Sequence, residues 1–439
     1  MPAPDDRGTR RPRTHDCART VSEAGGARSH TDVLIVGAGE AGLGVATELR
    51  DLAFGGHVTV IGDEPYLPYQ RPPLSKGFLE GKEDEDNLAL RAPAFLDEHD
   101  IEVLQGRRVV SVDLADKGGT ATLDDATTVQ FEKLAFATGA RARELPVPGA
   151  SLVGVYTLRT IEDAKQVRTA LVDTARLVVV GGGFIGLEVA AASRRRGLEV
   201  TVLEATPRLL GRVCAPPLSD YLMKRHAAAG IDIRLDTSVV ELVGNVDGQV
   251  THVRLADGAT IPADVVIVGV GALPNVELAE KAGLECGRGI VVDQAGRTSI
   301  DGVVAVGDCA EQPHPNLPGQ RLTIESVNNA LEQSKLAAHV LTGVETPRRG
   351  VAWFWSDQAD LKIQIAGISD GYDAYVVRAE STRLTVLYFQ NNRLIAADVV
   401  NNPRDFLAVK RALGEGRSID PERADDLSFS VKELLQGQA

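Results

Sequence analysis

Two glycine turns, Gly37-Ala38-Gly39-Glu40-Ala41-Gly42 and Gly181-Gly182-Gly183-Phe184-Ile185-Gly186, constrain this chain more than any other feature. Each follows a short apolar stretch, residues 32–36 and 177–180, and opens a helical pattern. That strand–turn–helix context raises the G-x-G-x-x-G pattern above chance. The glycines permit a tight turn and let backbone amides approach a pyrophosphate, whose charge is favoured at a helix N-terminus. Two such units in one chain imply two dinucleotides held together, which points to electron transfer between them.

The rest of the chain narrows the class. At 439 residues with 44% hydrophobic content, two to three domains and a large core are expected. A net charge of -14 counts against nucleic acid or an anionic membrane as the main partner, since both require a positive footprint. Cys17, Cys214, Cys286 and Cys309 are scattered without a C-x-x-C pair, so they read as inert thiols, and the eight histidines show no metal spacing. No uninterrupted apolar run is long enough to span a bilayer. Residues 1–30, with six arginines, four acids and no apolar core, read as a disordered tail and not a secretory signal. A cytoplasmic protein is expected, with monomer and homodimer both open.

The expected fold class is α/β: two Rossmann-like nucleotide-binding domains followed by a C-terminal α+β domain. The first begins at Thr31 and runs through a second strand at residues 57–61. The proline-rich segment 65–73 must be irregular. The pattern then repeats, and strand 303–306, ending at Gly307-Asp308, is expected to rejoin the first domain, with a covering helix over 324–341. This divides the chain into the tail, a discontinuous first domain at 31–145 and 272–345, a second at 146–271, and a third at 346–439. A hairpin at Asn391-Asn392 and a helix after Pro403 are expected in the third.

Side-chain chemistry distinguishes the two sites. Glu204 stands about twenty residues past the second turn, where a carboxylate accepts ribose hydroxyls and repels a 2′-phosphate. NAD is therefore expected there in preference to NADP, although Arg208 and Arg212 lie close by; Arg212 reads as a pyrophosphate contact. In the first unit Gly62 occupies the position of Glu204, which makes Asp63 the candidate ribose carboxylate. Ala137-Thr138-Gly139 at one strand end and Gly307-Asp308 at another suit the ribityl chain of FAD.

Taken with further segments, these motifs resemble the two-dinucleotide flavoproteins of the glutathione reductase superfamily. Arg71-Pro72-Pro73-Leu74-Ser75-Lys76, Glu325-Ser326-Val327-Asn328-Asn329-Ala330 and Trp353-Phe354-Trp355-Ser356-Asp357-Gln358 narrow the resemblance to ferredoxin reductases of the putidaredoxin reductase type, from residue 32 into the last forty residues. That resemblance implies NADH-dependent reduction of a 2Fe-2S ferredoxin serving a cytochrome P-450 or ring-hydroxylating oxygenase. It implies FAD contacts at Gly37, Gly39, Ala41, Gly42, Asp63, Arg71, Lys76, Val109, Thr138, Gly139, Arg159, Asp308 and Val327. NAD contacts are implied at Gly181, Gly183, Ile185, Gly186, Glu188, Glu204, Arg212 and Gly271, with Glu325 toward the nicotinamide carboxamide.

Lys76 is expected to place positive charge near flavin N5 with Glu188 as its partner, and Trp355 to wall the flavin. Candidate docking cations are Arg348, Arg349, Lys362, Arg404 and Lys410. Two other readings stay open: an NADH oxidase or disulfide-type reductase of the same fold, against whose thiol chemistry the lack of cysteine in segment 65–76 counts, and a flavoprotein with a binding role resembling apoptosis-inducing factor.

Overall fold

A computed structural model of the chain describes residues 29–172 and 175–436. The expected tail falls almost wholly outside these residues, as does Cys17; His30 already belongs to the first strand, His30–Val36. Around that strand lies a seven-stranded sheet. It pairs in parallel with Val58–Ile61 on one side and Thr128–Phe136 on the other. Strand Val303–Ala305 joins the same sheet by parallel pairing with residues 134–136, so the chain returns to its first sheet after a long excursion.

The excursion builds a second sheet of five parallel strands, in the order Asp232–Arg234, Glu199–Leu203, Arg176–Val180, Val265–Val268, Val155–Tyr156. The two passages between the sheets run side by side, Ala140–Ala142 antiparallel to Ala272–Pro274. The inner strands are continuous apolar runs buried on both faces, as parallel sheets covered by helices require. Helix Glu40–Asp51 packs on helix Val327–Thr342, where Ser334 Oγ donates to the Ala41 carbonyl at 2.7 Å. The latter helix starts three residues later than its apolar pattern suggests. Ser326 caps it by accepting the Asn329 N–H, which leaves Ile324 and Glu325 non-helical.

A five-stranded antiparallel sheet follows, in the order Trp353–Gln358, Leu361–Gly367, Arg393–Val400, Arg383–Gln390, Ala374–Glu380. The expected hairpin closes through Asn391 and Asn392, both at positive φ, which suits a two-residue turn matching strand twist. Helix Pro403–Glu415 backs this sheet. Its other face meets the second nucleotide unit in one shared apolar cluster, in which Leu361, Val386 and Tyr388 pack with Leu218 and Leu222.

Within that cluster Asp398 is fully buried. It accepts a hydrogen bond from the Tyr388 hydroxyl at 2.5 Å, while Oδ1 has no partner. Burial pushes its carboxyl up to about 7, against the hydrogen bond from Tyr388, which acts to lower it. The folded state therefore keeps this proton to higher pH than the unfolded chain does. Its contribution to stability is complete below the ordinary carboxylate range and is lost as pH climbs toward 7. Replacing Asp398 with Asn should remove that loss, so that melting curves of wild type and variant diverge between pH 4 and pH 7 by on the order of 3 kcal/mol or less.

Candidate functional site

Each glycine of the two turns meets a different steric demand. A methyl group on Gly37 would sit 2.1 Å from the Ala137 carbonyl oxygen, and one on Gly181 would sit 2.4 Å from that of Gly269, because each turn crosses directly over a neighbouring strand end. A methyl on Gly42 or Gly186 would strike the Gly37 or Gly181 carbonyl oxygen, at 1.9 and 2.4 Å. The middle glycines differ. Nothing lies within 4 Å of a Cβ on Gly39, and on Gly183 the nearest atom is 3.8 Å away. A side chain there would fill the space above the first turn of helices Glu40–Asp51 and Phe184–Arg195. Both cradles thus fit a pyrophosphate lying on backbone amides.

The displaced carboxylate of the first unit has a steric cause. Gly62 and Glu204 hold equivalent places, since Gly37 N donates to the Ile61 carbonyl and Gly181 N to that of Leu203. In the second turn Gly182 leaves room for Glu204, whose Oε2 accepts the Gly182 N–H at 2.7 Å. In the first turn Ala38 supplies a methyl, and a Cβ on Gly62 would lie 2.4 Å from it. The carboxylate moves on to Asp63, which is exposed and paired with Arg108 at 3.0 Å. Val109 opens strand Val109–Leu114, an edge strand of the first sheet, and is buried.

The other strand ends converge on the first turn. A Cβ on Gly307 would come within 2.9 Å of the Ala41 methyl, so Asp308 is delivered against the fingerprint helix. Arg159 Nη2 binds Asp308 at 2.7 Å while its buried Nε has no protein partner, as fits a polar ligand alongside. Arg71 donates to the Arg159 carbonyl at 2.8 Å and pairs with Glu64 at 2.7 Å. Thr138 and Gly139 are stitched to Asn275, a residue the sequence did not single out: Thr138 Oγ1 donates to the Asn275 carbonyl at 2.7 Å and Asn275 Nδ2 returns a bond at 2.8 Å. Glu325, next to the Ser326 cap that precedes Val327, has its pKa raised by burial and by Asp308, with Arg159 and Arg212 opposing.

Lys76 and Glu188 meet as expected, Nζ to Oε2 at 2.7 Å. Glu188 is only 4% exposed, and its carboxylate also receives the hydroxyls of Ser75 and Ser356, the latter at 2.6 Å. Ser356, part of the segment that carries the resemblance, has no role assigned to it by the sequence beside its aromatic neighbours. Its strand explains the arrangement. Phe354 and Ser356, two residues apart, share one face and meet Phe184 and Glu188, four apart on a helix, with the phenyl rings 4.5 Å apart. Trp355 lies on the opposite face with Trp353, rings 5.5 Å apart, so the structure does not bring Trp355 to the Lys76–Glu188 pair.

On the second unit the two arginines separate. Arg208 donates to the carbonyls of Cys214 and Gly211, so its guanidinium is committed to its own loop. Arg212 reaches toward Gly271, where a Cβ would lie 3.2 Å from Nη2. Ile185 stands exposed on the first helical turn. Arg349, expected as a docking charge, instead points inward onto Gln312 and Asn329. Lys410 lies over the Trp353 ring at 4.6 Å. Burial raises the Cys214 thiol to about 12 and Cys286 to about 11, and raises Cys309 as well, so none is a ready thiolate near neutral pH.

Replacing Gly62 with Ala should cost about 1–3 kcal/mol through overlap with Ala38 and weaken retention of the first dinucleotide. Adding Ala38→Gly should restore both, as read by melting temperature and bound-cofactor absorbance.

Residues 31–334 match the pyridine nucleotide-disulphide oxidoreductase family, and residues 353–435 match a reductase C-terminal family. Rhodocoxin reductase of Rhodococcus erythropolis is 42% identical over 402 residues, 91% of this chain and 93% of that protein. Putidaredoxin reductase of Pseudomonas putida is 38% identical over 413 residues, 93% and 97% of the two chains. The putidaredoxin reductase in its covalent complex with putidaredoxin superposes with a TM-score of 0.89 at 38% identity, covering 93% of this chain and 98% of that one. The chain belongs to the pyridine nucleotide-disulphide oxidoreductase family, in its ferredoxin reductase branch, and is an FAD- and NAD-dependent oxidoreductase.

Proposed function

We propose that the protein draws electrons from NADH and passes them singly to a 2Fe-2S ferredoxin that serves a cytochrome P-450 or a ring-hydroxylating oxygenase. The observation that carries this reading is the Lys76–Glu188 pair, which joins the irregular loop of the first nucleotide unit to the fingerprint helix of the second. Relatives include rhodocoxin reductase and putidaredoxin reductase, and one is named as the ferredoxin reductase component of chlorobenzene dioxygenase. FAD, bound at the first turn, supplies the conversion of a two-electron hydride into single electrons.

The residues divide the work. Backbone amides beside Gly39 and Gly183 hold the two pyrophosphates. Asp308, held by Arg159, takes ribityl hydroxyls, and Asp63 and Glu204 take the adenosine riboses. With Arg208 engaged by the carbonyls of its own loop, Glu204 meets a 2′-phosphate with no committed cation beside it, which supports NADH over NADPH. Lys76 sets a positive charge beside the flavin, with Glu188 fixing its position. The high thiol pKa values and the lack of cysteine in the Pro72–Ser75 segment speak against disulfide chemistry. The domain division at 145, 272 and 346 belongs to this reading, as does a cytoplasmic site of action; no described helix is long and apolar enough to cross a membrane.

Anaerobic stopped-flow tests the proposal. Protein reduced with one equivalent of NADH and mixed with a 2Fe-2S ferredoxin should reoxidise while the carrier bleaches in single-electron steps. Transfer only to oxygen, to a disulfide or to a one-iron rubredoxin, the carrier named for relatives 38% identical to this chain, would overturn it. Lys76→Ala should retain FAD yet slow its reduction by NADH about tenfold or more. Glu204→Gln, which can still accept the Gly182 N–H, should shift the ratio of NADH to NADPH use about tenfold toward NADPH, measured as kcat/KM for each.

A further inference from the structure

The second oxygen of Glu188 ends a chain of donors that hydride transfer, as read above, leaves without a role. Ser356 Oγ donates to Glu188 Oε1 at 2.6 Å, and Gln358 Nε2 donates to Ser356 Oγ at 3.1 Å. Gln358 Oε1 lies 2.7 Å from His226 Nε2. Ser356 and Gln358 are completely buried, and His226 nearly so. With its amide nitrogen turned to Ser356, Gln358 presents its oxygen to His226, and Nε2 of the imidazole must carry the proton. Burial lowers the His226 pKa, opposed by Gln358 and Asp360 and aided by Arg225, which keeps the ring neutral near pH 7 and suited to a single donated bond.

Every donor therefore points the same way, toward Glu188. Bonds aligned in one sense polarise each other, and the last one strengthens the hold on the carboxylate. An amide set between a hydroxyl and an imidazole cannot relay a proton without changing tautomer, so the chain is a clamp and not a proton path. Its members come from separate parts of the molecule: His226 from helix Pro216–Ala228, Gln358 and Ser356 from strand Trp353–Gln358, Glu188 from helix Phe184–Arg195. Three polar side chains buried in an apolar interface carry a desolvation penalty that apolar residues of similar shape would avoid. What the polar set adds is one defined rotamer for Glu188.

We propose that Ser356, Gln358 and His226 are positioning residues for hydride transfer, holding the Glu188 carboxylate and, through it, the Lys76 ammonium in a single arrangement. The inference rests on the roles given above to Lys76 and Glu188.

The test uses the FAD-loaded full chain and its Ser356→Ala, Ser356→Thr, Gln358→Met and Ser356→Ala/Gln358→Met variants. Anaerobic stopped-flow separates the limiting rate of flavin reduction from the NADH dissociation constant. Ser356→Ala should lower the limiting rate about tenfold, the loss of one hydrogen bond to a charged group, and leave the dissociation constant within about twofold. Ser356→Thr should keep the rate, and the double variant should be no slower than Ser356→Ala, because both changes break one chain. In a 15N-edited spectrum the His226 Nε2 proton should shift in Gln358→Met and move again in Ser356→Ala, a readout that needs no turnover.

Wild-type limiting rates in Ser356→Ala and Gln358→Met at unchanged melting temperature would overturn the proposal, as would strictly additive losses in the double variant. Should Ser356→Ala fail to fold, Gln358→Met against Ser356→Thr carries the same comparison. Only the NADH half-reaction is read, so failure to reduce a ferredoxin would sink the carrier assignment and leave the clamp standing. A normal rate in Lys76→Ala would remove the ground beneath the clamp.

Discussion

The buried carboxylate of Glu188 is the point on which the rest of the structure turns. An unpaired charge in such a place is costly, and the chain satisfies it with three donors from two segments: Lys76 and Ser75 from the irregular proline segment, and Ser356 from the C-terminal sheet. The two nucleotide units and the third sheet are thereby held in one relative position by the same group. The aromatic contact of Phe184 with Phe354, one helical turn away, reinforces that position with apolar packing.

This arrangement explains why the segment between Pro65 and Lys76 is irregular. A regular helix or strand there could not turn the backbone so that consecutive residues, Ser75 and Lys76, both face one carboxylate. The prolines keep the segment out of a longer helix, and the short 3-10 turn Pro72–Ser75 delivers both side chains to Glu188. Arg71, one residue earlier, ties the same segment to the Arg159 backbone and so to the Asp308 side of the first site.

The two fingerprints show how one backbone solution accommodates two ligands. The first and third glycines of each are required by contacts with the protein's own carbonyl oxygens, whereas the middle one faces open space. Between the turns, a methyl and a carboxylate have changed places: Ala38 with Gly62 in the first, Gly182 with Glu204 in the second. The departure at Gly62 is thus a packing consequence of Ala38 and not a loss of the site.

Local sequence determined the two strand–turn–helix units and the hairpin at Asn391-Asn392, because glycine sterics, turn conformation and apolar periodicity act over a few residues. The Lys76–Glu188 partnership was legible as well, though only through resemblance, since 112 positions separate the two residues. Other assignments lay beyond any local signal. Arg349 reads as a surface cation, yet its guanidinium folds inward onto Gln312 and Asn329. Trp355 draws attention by its size, while Ser356, a small hydroxyl beside it, makes the contact with Glu188. Which face of strand Trp353–Gln358 meets Glu188 depends on how the third sheet packs against helix Phe184–Arg195. Strand alternation separates Trp355 from Ser356, and only the docking of one sheet on another chooses between them.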